Sequence, residues 1–115
     1  MFNTDGVLKS LNEVQGVHQA VIVGRDGFVI NSVGDMEADS VGAVISTAIG
    51  AIEAMGRDCK QGTLFEVMAE YNGGVVIAAP IGTDAVLGIV ADESANLGGV
   101  RFVVKKSMKE LEKVM

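Results

Sequence analysis

The segment from Asp39 to Cys59 is long enough for a helix of several turns, yet no side of that helix would be predominantly polar. Between Val41 and Gly56 the one charged residue is Glu53. A helix that faces water on one side carries polar side chains there, whereas a helix that is apolar or small all round is buried on both sides. In a chain of 115 residues we expect the second side of this helix to meet another subunit.

Two kinds of side chain divide this helix when residues advance by roughly 100° each. One broad arc is apolar and comprises Val41, Val44, Ile45, Ala48, Ile49, Ile52 and Met55. Small residues recur every four positions on the opposite strip, and such a strip lets two helix backbones approach closely. We therefore predict a dimer interface on this strip; the alternative is that the strip packs flat on the chain's own sheet. The predicted interface residues of the helix are Gly42, Ala43, Ser46, Thr47, Gly50, Glu53 and Ala54.

The rest of the chain predicts two further helices and five strands. Asn3 or Thr4 can cap a first short helix that ends near Gly16. The Asp26-Gly27 dipeptide suits the tight turn of a β-hairpin. Strands are predicted at residues 18–24, 28–33, 63–71, 75–81 and 85–91, and a final helix follows Ser94. Because the connections between paired strands are short, the sheet should be antiparallel.

This order of elements predicts an α/β (α+β) sandwich in a single domain spanning residues 1–115. The chain runs through a helix, a hairpin, the long helix, a three-strand meander and a last helix. The first strand of the meander can lie at a sheet edge, where unpaired backbone groups recruit a second chain. On this strand we add Glu66, Met68 and Glu70 to the predicted interface, with the two glutamates acting either as edge guards or as partners across the dimer.

Catalytic and cofactor motifs are absent from the sequence. Nucleophilic triads and zinc sites need several His or Cys residues, and the chain has one of each, His18 and Cys59. We interpret His18 as a surface or hydrogen-bonded residue and Cys59 as an idle thiol. No glycine precedes a lysine and no two glycines are separated by one residue, which excludes the GxxxxGK[ST] and GxGxxG phosphate loops. We expect a protein that is not an enzyme and that binds no metal or cofactor.

Net charge and hydropathy limit the partners. A net charge of −6 argues against binding to a nucleic-acid backbone. Arg101, Lys105, Lys106, Lys109 and Lys113 hold five of the nine basic residues, and we interpret them as the solvated face of the last helix. Glycines and Pro80 interrupt the longest uncharged run near the middle of the chain, so we expect no insertion into a membrane. Without a recognisable secretory signal, a cytoplasmic location is expected.

From about Val7 to Leu111 the chain resembles the Roadblock family of dynein light-chain-like and MglB-like proteins. The resemblance rests on several segments in a fixed order, each of which is weakly specific alone. They are the hairpin AVIVGRDG at residues 20–27, the small-residue long helix, GVVI at 74–77, AVLGIV at 85–90, and NLG at 96–98 followed by Arg101.

The resemblance implies a sandwich in which the long helix covers one sheet face and the terminal helices cover the other. It also implies homodimers, or heterodimers with a paralogue, joined through the long helix and an adjacent strand. Proteins of this kind resemble platforms and regulators of small Ras-like GTPases, and the bare domain favours a stand-alone prokaryotic regulator. Arg25 and Arg57 are the internal candidates for an arginine finger. The alternatives are a purely structural subunit of a larger complex and, less favoured, a small-ligand sensor.

Overall fold

A computed structural model describes residues 4–115 of the chain and places three helices and five strands in them. In chain order these are α1 (Thr4–Asn12), β1 (Val17–Gly24), β2 (Val29–Gly34), α2 (Ala38–Asp58), β3 (Val67–Tyr71), β4 (Gly74–Ile81), β5 (Ala85–Asp92) and α3 (Leu97–Glu112). The predicted sequence of helix, hairpin, helix, meander and helix is confirmed.

One antiparallel sheet contains all five strands in the order β2-β1-β5-β4-β3. The hairpin and the meander meet where β1 pairs with β5 in the middle of the sheet. The long helix α2 therefore carries the chain from the β2 edge to the β3 edge. β3 lies at an edge, as its position at the start of the meander predicted.

Helices cover both faces of the sheet, and the predicted sandwich is confirmed. Because successive side chains of a strand point to opposite faces, β1 contributes to two separate cores. Ala20 and Ile22 pack on the side of α1 and α3, whereas Val21 and Val23 pack on the side of α2. The larger core holds α1 and α3 against the sheet with Leu8, Leu11, Leu87, Ile89, Val104 and Leu111.

The strand predicted at residues 63–71 is shorter in the structure and begins at Val67. Val67 pairs with Ala78 in the antiparallel register, so Phe65 would stand opposite Pro80 if the strand continued. Proline has no backbone N–H to donate to a neighbouring strand. The ladder between β3 and β4 accordingly stops short of Pro80, and the residues that precede Val67 lie in an irregular segment.

The first helix ends at Asn12, earlier than the predicted end near Gly16. Gly16 has a left-handed backbone, with φ of +88°, in the connection to β1, and a Cβ there would lie 2.8 Å from Ala95. Asn96 caps α3 by accepting a hydrogen bond from the Gly99 amide at 3.0 Å. Thr4, the first residue described, is already helical, and the alternative cap Asn3 lies outside the described residues.

Candidate protein-interaction surface

Part of the small-residue strip of α2 faces the chain's own sheet. Gly42 is buried together with Ile45 and Ile49. A Cβ at Gly42 would lie 2.9 Å from Cγ2 of Val29 and 3.2 Å from Cγ2 of Val23. These distances are shorter than ordinary van der Waals contact, so glycine allows α2 to approach the β1–β2 hairpin closely. The small residue serves packing within the subunit here.

Ser46 and Glu53 also face inward and bind the end of the β1–β2 hairpin. The Ser46 hydroxyl lies 3.2 Å from both the Gly24 and the Arg25 carbonyl oxygens, to which it can donate. The Arg25 guanidinium donates two hydrogen bonds to the Glu53 carboxylate, the longer one, from Nη2 to Oε2, at 2.9 Å. This bonding lowers the pKa of Glu53 and raises the pKa of Arg25. Gly42, Ser46 and Glu53 contact the chain's own hairpin, which is the packing that the sequence left open as the alternative for this strip. Their place in a dimer interface stays a prediction.

The outer side of α2 is apolar and exposed. Val44 and Met55, which the helical arc had grouped with the inward-facing Ile45, are 66% and 59% exposed. The Thr47 hydroxyl donates a hydrogen bond of 3.0 Å to the Ala43 carbonyl oxygen within the helix, so its proton does not need a partner outside α2. Of the predicted interface residues, Ala43, Thr47 and Gly50 are exposed on this side and Ala54 is half-buried. The outer face of α2 is defined here as Ala43, Val44, Thr47, Ala48, Gly50, Ala51, Ala54 and Met55.

A groove joins this outer face to the edge of the sheet. α2 lies mainly over β1 and β2, so the half of the same sheet face formed by β3 and β4 is left open. The groove has a volume of about 290 Å³. Its lining is almost wholly apolar and comprises Val44, Ile45, Ala48, Ile49, Ile52, Val67, Ala69, Tyr71, Val76 and Ala78. Val44 and Ala48 belong both to the groove and to the outer face of α2, so the two form one apolar surface, a feature typical of interaction sites.

The β3 side chains that line this groove are not the ones that the sequence predicted for the interface. Glu66 accepts a hydrogen bond from Arg101 Nε at 2.9 Å, on the sheet face covered by α3. Met68 packs against the core of α1 and α3, and Glu70 is exposed. The groove is lined instead by Val67, Ala69 and Tyr71.

Because side chains alternate along a strand, the sequence places Val67, Ala69 and Tyr71 on one face and Glu66, Met68 and Glu70 on the other. It does not tell which of the two faces is shared with α2. β3 lies at the sheet edge, as expected, but its position does not show whether Glu66, Met68 and Glu70 take part in an interface, and that stays a prediction. The outer face of α2 and the groove also hold residues that the predicted interface did not name, namely Val44, Ala48, Ala51, Met55, Val67, Ala69 and Tyr71.

By length and composition α2 could cross a membrane, and it is one such helix in the part of the chain described. Its two ends lead into β2 and β3 of the same sheet, and its inner side packs on that sheet through Ile45 and Ile49. A span would have to separate strands that are joined through one hydrogen-bonded sheet. The inner side of α2 is therefore part of the folded domain, and its apolar outer face is exposed.

The sequence singled out His18 and Cys59, and the structure places both at the surface. Cys59 is an exposed free thiol. The His18 ring lies 2.7 Å from Asp92 Oδ2 through Nε2 and 3.4 Å from Asp35 Oδ2 through Nδ1. Hydrogen bonding to Asp92 and then to Asp35 raises the pKa of His18, while bonds from Ser94 and His18 lower the pKa of Asp92 to about 2. Within residues 4–115, no group of three or more His, Cys, Asp or Glu side chains is arranged to hold a metal ion.

Comparison with known proteins gives consistent matches along the chain. Residues 4–91 match the model of the Roadblock/LC7 domain. The uncharacterised protein MJ1340 of Methanocaldococcus jannaschii is 34% identical over 110 residues, which make up 94% of this chain and 96% of that protein. The fold is similar to that of Myxococcus xanthus MglB, with a TM-score of 0.87 at 20% identity over 95% of this chain and 91% of MglB. A structure described as MglB with tetrameric arrangement gives a TM-score of 0.86 at 21% identity over 95% of this chain and 85% of that one.

Proposed function

The chain belongs to the Roadblock/LC7 family, and from that premise we propose that it is a dimeric, non-enzymatic regulator that binds a small Ras-like GTPase in the cytoplasm and modulates its nucleotide cycle. The observation that carries the dimer is the uncharged outer face of α2, which continues through an apolar groove to the edge strand β3. The GTPase partner is supported by the resemblance of the chain to Roadblock regulators.

A two-fold dimer uses both parts of this surface at once. Two copies of the outer face can lie against each other because the face carries small and apolar side chains and no charge. The unpaired backbone groups of β3 can then pair with β3 of the second copy and make the sheet continuous through both subunits. A stable interface of this kind typically buries ~800 Å² per partner. The tetrameric arrangement described for MglB is consistent with assembly by this fold.

The regulatory action proposed here does not need an arginine finger. Arg25 is bound by Glu53 through two hydrogen bonds, so its guanidinium is not free to reach into another active site without breaking them. Arg57 is exposed near the end of α2 and is the remaining internal candidate. We propose that the dimer acts by positioning the GTPase's own catalytic residues or by holding one nucleotide state.

Single-turnover GTP hydrolysis and nucleotide release by a Ras-like GTPase from the same genome test this proposal. We expect the protein to bind the GTPase and to change at least one of the two rates. The matched control is the variant Gly50→Arg, which should be monomeric and should lose most of the effect. Absence of both binding and any rate change would refute the GTPase proposal. Recovery of a stable partner that has no nucleotide-binding motif would instead support the alternative, a structural subunit of a larger complex.

A further inference from the structure

The outward side of α3 carries lysines that have no ionic partner. Lys105, Lys106, Lys109 and Lys113 are exposed, and their spacing places them on one side of the helix. Arg101 on the same helix is paired with Glu66, but among residues 4–115 none of these four lysines forms a salt bridge, although the chain has 15 acidic residues. The free cationic charge of the molecule is therefore concentrated on the face opposite α2.

An apolar groove of about 400 Å³ runs beside two of these lysines, and we call it the α3 groove. It exists because β3 begins only at Val67, which leaves Ala79 and Pro80 of β4 without a strand neighbour on that side. Phe65 lies at the groove and is 85% exposed. The groove is lined by Thr63, Leu64, Phe65, Glu66, Ala79, Pro80, Gly82, Val104, Lys105, Met108, Lys109 and Glu112.

The α3 groove carries an uneven charge. The bond of 2.9 Å between Arg101 Nε and Glu66 Oε2 joins α3 to the irregular segment and neutralises Glu66. Lys105 and Lys109 stand along the α3 wall, with Lys106 and Lys113 on the same helix outside the groove lining. The lining also holds the carboxylate of Glu112, so the two lysines exceed the unpaired carboxylates of the groove by one. An apolar floor beside this excess positive charge is complementary to apolar side chains flanked by carboxylates.

We propose that the α3 groove binds a short segment of a partner protein in which apolar side chains are interspersed with Asp or Glu. The concave apolar lining suits side chains of a peptide, and the lysines along its wall suit their carboxylates. A membrane or a nucleic acid fits less well, because the rest of the chain is acidic. Only four of the nine basic residues lie outside residues 97–113, whereas all acidic residues except Glu110 and Glu112 do. An extended anionic surface would be repelled by that remainder.

This binding site goes beyond the proposed function and does not rest on it. Val104 and Met108 of the α3 groove belong to the α3 side of the sheet. The proposed dimer uses the outer face of α2 on the other side and the backbone edge of β3, which begins just after groove residues 63–66. A dimer would then present two α3 grooves while its α2 faces are occupied. The monomeric variant Gly50→Arg should therefore still bind the peptide, which separates failure of this proposal from failure of the proposed dimer.

A phage-displayed random peptide library, selected on the wild-type protein alone, tests the proposal. We expect enrichment of peptides that combine apolar residues with Asp or Glu. In fluorescence anisotropy the affinity of such a peptide should fall about tenfold or more in K105E/K109E. Phe65→Ser should also weaken it about tenfold, and because Phe65 is exposed the fold should be unaffected.

The double variant K106E/K113E is the matched control, since it makes the same charge change on the same helix outside the groove lining. It should weaken the peptide less than about threefold. An equal loss in both double variants, or a selection without enrichment, would overturn the proposal. So would binding to phosphatidylserine vesicles that both double variants abolish equally, since the partner would then be a lipid surface. A change of oligomeric state confined to K105E/K109E would overturn it in favour of a second copy of the chain.

Discussion

The Glu53 carboxylate on α2 is bound by the Arg25 guanidinium from the end of the β1–β2 hairpin. Glu53 is the one charged residue between Val41 and Gly56, and this bond directs it into its own subunit. The outer face of α2 is consequently free of charge over its whole middle part. The ion pair thus adds to the attachment of α2 to the hairpin, to which Gly42 and Ser46 also contribute, and it keeps the one charge of this stretch on the inner side.

Arg25→Gln and Glu53→Gln should each destabilise the fold by about 1–3 kcal/mol, because each leaves a partly buried charge without its partner. Chemical denaturation measures the loss, and a double-mutant cycle isolates the interaction. The exposed pair formed by Arg101 and Glu66 is the control, and Arg101→Gln should cost less than about 1 kcal/mol. Equal effects at the two pairs would contradict the structural role of the inner one.

Acid should weaken the same attachment. The pKa of Glu53 is lowered in the folded protein, so its contribution to stability is complete above the ordinary carboxyl pKa of 4.5 and is lost as the pH falls through the lower folded value. The stability difference between wild type and Glu53→Gln, followed by denaturation from neutral to acidic pH, should therefore shrink below pH 4.5. A constant difference over that range would contradict the assignment.

Gly50→Arg should convert the proposed dimer to a monomer while the helix content is kept. A Cβ at Gly50 meets nothing within 4 Å, so the substitution is tolerated inside the subunit, and arginine favours the helix more than glycine does. Sedimentation velocity and circular dichroism measure the two effects. Gly6→Arg is the control, since Gly6 is equally open but lies on α1. A Gly50→Arg protein that stays dimeric would show that the outer face of α2 is not the interface.

Gly42→Leu should destabilise the subunit itself by about 1–3 kcal/mol, because the added side chain would collide with Val23 and Val29. The free energy of unfolding, measured by denaturant titration at a fixed protein concentration, gives the size of the effect. The same substitution at the open position Gly6 should change stability far less. Similar values at Gly42 and Gly6 would mean that α2 can move away from the hairpin at little cost.

His18 should titrate above its ordinary pKa of 6.5, because its ring is bonded to Asp92 and Asp35. The stability that this group contributes is complete below pH 6.5 and is lost as the pH rises through the folded value. A histidine NMR titration measures the pKa directly. Asp92→Asn should lower it more than Asp35→Asn does, since the bond to Asp92 is the stronger cause. The reverse order would show that Asp35 is the main partner.

Much of the architecture followed from local patterns in the sequence. Asp26-Gly27 marked the turn between β1 and β2, and Gly16, which has a left-handed backbone, lies just before β1. The long uncharged helix was identified because its period and its lack of charge are properties of neighbouring residues. The position of β3 at a sheet edge also followed, since it opens the meander.

Only the tertiary structure decided which sides of these elements face each other. The helical period fixes the angle between Gly42, Ile45 and Val44 but not the direction of the sheet. The sheet lies on the side of Gly42 because a residue without a Cβ lets α2 approach Val23 and Val29, and Val44 is turned outward as a result. Likewise, the start of β3 depends on the register that would place Phe65 opposite Pro80, which no local pattern contains. Contacts between residues far apart in the chain set both features, and for that reason the sequence alone determined the elements but not their faces.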